Sequence, residues 1–146
     1  MTANKIYTKI ATIQGKIKEL TKTLENKFNN YKYFAESEAV KLLKPLLDAE
    51  KLAQTFSDSP HAYHFIYEKQ EGKNKKGEPT SEHVIRYLKV VNISDGENEP
   101  LTFYIWALGQ DPDISKAKGK AETYAVKYFL SKFWNMPLTD ENDPDR

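Results

Sequence analysis

The sequence contains no cysteine. That removes a disulfide framework, a thiolate zinc site and a thiol nucleophile together, and it fits a reducing cytoplasm. It lacks any run of about 18 apolar residues, so no membrane span is expected. The opening MTANKIYTKI has no uninterrupted apolar core and does not read as a secretory leader. Histidine is scarce: His61, His64 and His83 are the whole set. His61 and His64 fall at the start of a segment that reads as a strand, where residues three apart face opposite sides and do not converge on a metal. His83 stands alone. No nucleophilic triad is visible, so no metal, cofactor or enzymatic step is expected.

Net charge is also nearly absent, at +1, but its placement is uneven. Residues 1–56 carry 10 Lys/Arg against 6 Asp/Glu, and residues 101–134 carry 5 against 3. The last twelve carry 1 against 4. A basic body with an acidic end points weakly to an anionic partner. Asp140, Glu141, Asp143 and Asp145 read as a solvated tail rather than a cation site. The division expected is a core domain over 1–136 and an acidic flexible tail over 137–146.

What the chain does have is aromatic residues: 9 Tyr, 7 Phe and 2 Trp in 146 residues, too many for a disordered chain. Ile6, Ile10, Ile13, Ile17, Leu20 and Leu24 step by fours and threes, which predicts a first helix with a narrow apolar seam. Two readings stay open for Ile6, Ile10, Ile13 and Ile17: packing within the domain, or an oligomer interface. Asn29-Asn30 predicts a turn among Phe28, Tyr31, Tyr33 and Phe34. Ser37 is the expected N-cap of a second helix running through Phe56, kinked or split by Pro45.

After SDSP the period changes. AYHFIYEK, HVIRYLKVVNI and LTFYIWAL read as three strands. Ile85, Tyr87, Val91 and Ile93 form one apolar face of the middle strand, and Val84, Leu88 and Val90 the other. Such a strand is central in its sheet. A last helix follows Asp111-Pro112, with Ser115 as its expected cap, and Pro137 ends it. The fold class expected is α+β: an antiparallel three-stranded meander packed by a C-terminal helix, with two N-terminal helices.

QEGKNKKGEPTSE joins the first two strands. Gly72 and Gly77 match half of a phosphate-binding loop, but Glu78-Pro79 follows instead of Lys-Ser/Thr, and the context is strand to strand. A nucleotide site is rejected. Lys73, Lys75 and Lys76 remain, and two readings stay open for them: a solubilising loop, or a flexible basic finger reaching for phosphates. In KAKGKAETYAVKYFLSKFW, Ala117, Ala121, Tyr124, Ala125 and Tyr128 make an apolar stripe. Lys116, Lys120 and Lys127 lie within about 60° of one another and form a basic ridge beside it. Gly119 reads as a place of close approach, either of the sheet or of a backbone ligand. Their place on the stripe makes core packing the expectation for Tyr124 and Tyr128.

Two stretches carry a resemblance. FNNYKYFAESEAVKLLKPLL and KAKGKAETYAVKYFL…MPLTDENDPD are similar to motifs of the Erf (essential recombination function) family of phage single-strand annealing proteins. In the second, Gly119, Thr123, Tyr124, Tyr128 and Leu130 match the family's Gly-Ser-x-x-Thr-Tyr-x-x-Arg-Tyr-x-Leu helix. Lys127 replaces the arginine, Lys120 the serine, and Val126 stands where a second basic residue is frequent. The resemblance spans roughly Ile10 to Asp143. It implies ATP-independent annealing of single-stranded DNA by a homo-oligomeric ring or filament in the bacterial host cytoplasm. It also implies a fold like that of Rad-type annealing mediators, and a phage or host recombination nuclease or single-strand binding protein as partner. On that reading Lys116, Lys120, Lys127 and Arg86 contact phosphates, Lys73, Lys75 and Lys76 form a mobile clamp, and no cofactor is used; Tyr124 and Tyr128 are candidates for base stacking, second to core packing. The competing class is a self-assembling interaction module without nucleic acid.

Overall fold

The computed structural model describes residues 5–17, 20–21, 24–26, 31–33 and 35–139. The Asn29-Asn30 turn and the carboxylates from Asp140 onward lie outside them. The elements run α1 (Lys5–Lys16), β1 (Leu20–Thr21), β2 (Leu24–Asn26), β3 (Tyr31–Tyr33), α2 (Glu36–Glu50), β4 (Ala53–Asp58), a 3-10 turn (Ala62–His64), β5 (Phe65–Lys73), β6 (Pro79–Ser94), β7 (Leu101–Asp111), α3 (Ile114–Phe133) and β8 (Leu138–Thr139). The class is α+β, with three α-helices and a four-stranded antiparallel sheet among the described residues. β6 is its hub and pairs with β4, β5 and β7. Two further pairs are short: β2 with β3, antiparallel, and β1 with β8, parallel.

Two compact units emerge. The first draws on residues 1–54, 93–101 and 127–146. In it α1 packs on α2. Ile6, Ile10 and Ile13 are buried, together with Ala39 and Leu43 of α2. The seam is therefore covered inside the chain, and Ile17 just past it is half-buried. The helix expected to reach Leu24 stops at Lys16, and the seam's last two positions, Leu20 and Leu24, enter β1 and β2. Trp134 is fully buried, and its indole N–H donates to Gln54 Oε1 at 2.9 Å. Gln14 Nε2 donates to the Phe133 carbonyl at 2.8 Å, which ties α1 to the end of α3. Asn135, in the left-handed region at φ 52, ends α3, and Met136 N–H donates back to the Ser131 carbonyl. Leu138–Thr139 then pair with Leu20–Thr21, so the tail expected from 137 opens as a strand.

α2 departs from expectation three times. Its N-cap is Ala35 rather than Ser37, with no side-chain cap bond; Glu36 and Glu38 in the first turn face the positive helix end instead. Pro45 sits inside a continuous helix. The helix ends at Glu50, where Lys51 adopts φ 53 and its N–H bonds the last-turn carbonyls. Residues 53–58, expected as helix, thus become a fourth strand.

The second unit draws on residues 55–92 and 102–126. Alternation along β6 buries Ile85, Tyr87, Lys89 and Val91 on one face. Within this unit that face meets α3: Ile85, Tyr87, Ala107, Ala117 and Ala121 form one cluster, with Ala125 against it. Gly109 of β7 is the true place of close approach. A Cβ there would collide with the Ala117 carbonyl oxygen and lie 2.8 Å from Ala121 N. Gly119 has open space where its Cβ would be, so the sheet does not approach it closely. Asp113, not Ser115, caps α3: its carboxylate accepts from Ser115 N–H at 2.8 Å and Lys116 N–H at 3.2 Å.

Candidate nucleic-acid interface

The β5–β6 hairpin is set by a register running from Phe65↔Tyr87 to Lys73↔Pro79. Every residue of β5 is exposed, so this arm carries little core of its own. Asn74 organises the tip. Its Oδ1 accepts from Lys76 N–H and Glu78 N–H, both at 2.9 Å, and its carbonyl accepts from Gly77 N–H at 3.0 Å. Gly77 at φ 80 makes the reversal that a side chain would strain. Lys73, Lys75 and Lys76 are thus displayed on an organised turn, all exposed. Among the described residues none of these three, nor Lys116, is ion-paired.

Arg86 projects from the face of β6 opposite the α3 contact. Its guanidinium donates to Glu68 Oε1 at 3.3 Å, and both side chains are about half exposed. A phosphate there competes with a carboxylate already in place. Lys120 is likewise engaged. It meets Asp111 Oδ2 at 2.6 Å. The hydrogen bond from Lys120, then that from Asp113 N–H, holds the Asp111 carboxyl below its ordinary range, and the Lys120 pKa is raised in return.

The ridge expected on α3 is broken at its far end. Lys116 and Lys120 are exposed, but Lys127 is buried at 6%. Ala117 and Ala121 face the sheet, but at about 100° per residue the buried Val126 and Leu130 lie on roughly the opposite side of the helix, with the buried Lys127 beside them. Tyr124 and Tyr128 are turned out instead, 45% and 58% exposed. The expected stripe is therefore not continuous: the buried side of α3 swings round near Ala125, and Tyr124 and Tyr128 fall on the side left exposed.

Beneath the arm lies a polar cluster that sequence reasoning missed. Lys89 is buried, and its ammonium donates to Asp58 Oδ1 and Glu122 Oε1, each at 2.8 Å. Tyr87 Oη donates to Glu122 Oε2 at 2.7 Å. Lys118 closes the group, 3.7 Å from Asp58 and 4.0 Å from the centre of the Tyr87 ring. Burial alone would lower the Lys89 pKa, but its two carboxylate partners raise it overall. Burial pushes Glu122 up, while the bonds from Lys89 and Tyr87 outweigh that and leave it lowered. Burial, then the bond to Glu122, pushes the Tyr87 phenol far up, so it stays protonated. Two ammonium groups face two carboxylates, so the cluster is neutral. It fixes α3 to β4 and β6 and offers no site for an anion. The alternation of β6 was the signal: Lys89 shares its face with Tyr87 and Val91.

Among the described residues no group of three or more His, Asp or Glu is placed to hold a metal ion, and no helix is long and apolar enough to cross a membrane. A family model, ERF superfamily, matches residues 6–146. No curated protein and no solved structure matches the chain.

Proposed function

The chain belongs to the ERF superfamily, and on that premise we propose that it binds single-stranded DNA and anneals complementary strands without ATP in phage recombination. The observation that carries this reading is the family match across nearly the whole chain. The lysine tip supports it: an exposed arm ends in three cations that no carboxylate neutralises among the described residues. Such a tip grips phosphates and leaves base edges open for pairing. Lys116 and Lys120 extend the cationic surface along α3, with Lys120 exchanging Asp111 for a phosphate. Arg86 does the same on β6 by releasing Glu68. The exposed Tyr124 and Tyr128 rings suit stacking better than core packing. Annealing needs no bond-breaking chemistry, so no catalytic group is assigned.

Weak sites of this kind gain affinity by repetition, so self-association into a ring or filament belongs to the proposal. The host cytoplasm is the expected place of action, with a recombination nuclease or single-strand binding protein as partner. The Ile6, Ile10 and Ile13 seam is not assigned to that assembly, because α2 already covers it.

The test is a titration of an oligonucleotide at rising salt. Replacing Lys73, Lys75 and Lys76 together with Ala should reduce the salt slope by about two, at roughly 0.7 per phosphate contact on a single strand. Thermal stability should stay unchanged. An unaltered slope would remove the clamp, and no binding at low salt would remove the function.

A further inference from the structure

The 3-10 turn gathers rings that the function above leaves unused. His61 and Tyr63 stack at 5.1 Å with 16° between planes. Tyr63 meets His64 edge-on at 4.3 Å, and His64 meets Trp106 of β7 edge-on at 6.1 Å. His61 and His64, expected apart on a strand, lie 5.5 Å from one another because a 3-10 turn brings positions three apart into line. The Ser59 hydroxyl bonds His64 Nδ1 and fixes that ring. Trp106 shares its strand face with Tyr104 and Leu108, on the side of β7 away from Ala107 and α3. Tyr63 is 71% exposed and Trp106 50%, large values for rings held in fixed contacts.

We propose that His61, Tyr63, His64 and Trp106 form a stacking platform for the bases of a single strand, a proposal that rests on the nucleic-acid reading above. The charge around the rings suits a polyanion. Ser59 to His64 contains no carboxylate, nor does Thr102 to Gln110. The flanking acids are answered: Asp58 by Lys89 and Lys118, and Glu68 by Arg86. Rings in edge and face contact give consecutive π-surfaces, which bind bases of any identity. Bases held by their faces keep their pairing edges outward, which annealing requires.

The two tryptophans make the test specific. Trp134 is fully buried and hydrogen-bonded, whereas Trp106 is half exposed. Tryptophan emission of the full chain is followed while oligothymidylate is added. Stacking predicts quenching that saturates with binding and vanishes in Trp106→Phe. Trp106→Ala and Tyr63→Ala should each weaken binding about 5- to 150-fold, with the salt slope unchanged. Steep, salt-dependent binding without quenching would overturn the platform and leave the function standing. Emission that shifts with protein concentration alone, with Trp106→Ala lowering the oligomer size and leaving DNA affinity intact, would overturn it in favour of a contact between copies. Absence of any DNA binding would overturn both.

Discussion

Replacing Lys89 tests the second unit at its most sensitive point. Its side chain is 2% exposed, and its partners Asp58 and Glu122 are 47% and 42% exposed. Lys89→Ala removes three stem methylenes, worth roughly 2.4 kcal/mol at about 0.8 each. It also removes two charge-assisted bonds, discounted to about 1 kcal/mol in total because water already reaches both carboxylates. The expected loss is about 3–4 kcal/mol, or roughly 10 °C in melting temperature for a chain of this length. Lys89→Met keeps the stem volume and should lose only about 1 kcal/mol. Urea denaturation of the three proteins measures the difference. The pH dependence gives a second check. Glu122 is lowered in the fold, so its contribution is present above its ordinary value of 4.5 and is lost as pH falls through the folded value. Lys89 is raised, so its share holds below 10.5 and is lost as pH rises past the folded value. Lys89→Met should flatten both limbs. Equal stability of Lys89→Ala and the parent chain would refute the buried network.

Other perturbations have equally direct outcomes. Gly109→Ala should cost about 3 kcal/mol or more, because its methyl meets the Ala117 carbonyl and α3 must lift; thermal denaturation reads it. Ile13→Asp should cost about 4 kcal/mol or more and unfold the α1–α2 pair rather than dissolve an assembly, which circular dichroism beside size analysis distinguishes. Asp113→Ala should cost about 1 kcal/mol through loss of the α3 cap, with Ser115→Ala near neutral.

Much of the fold was legible because burial enforces period. The Ile6–Ile13 spacing gave α1, and two apolar faces, 85, 87, 91 and 93 against 84, 88 and 90, gave the central strand without saying which face turns inward. What escaped reading depends on contacts distant in sequence. Residues 53–58 continue the apolar rhythm of α2, and nothing local announces that Lys51 turns left-handed and frees them to pair with β6. Pro45 looked like a break, yet the helix runs through it without interruption. Tyr124 and Tyr128 looked inward by periodicity, but the buried side of α3 swings from Ala117 and Ala121 to Val126 and Leu130, which period alone does not show. At the candidate site the exposed lysine-rich link between two strands was legible from sequence, but sequence leaves it open between a solubilising loop and a phosphate-gripping tip. The engagement of Lys120 by Asp111 and of Arg86 by Glu68 was not, because each partner arrives through strand or turn geometry. Lys127 was placed on the ridge by angle alone, and angle does not show which side of a helix the chain covers.

The central claim is tested most directly by the rate at which complementary oligonucleotides pair in the presence of the purified chain. The account predicts acceleration over spontaneous pairing, unchanged by ATP, falling as salt rises and reduced when Lys73, Lys75 and Lys76 are replaced. A rate equal to that of the oligonucleotides alone at low salt, or one that requires ATP, would contradict it.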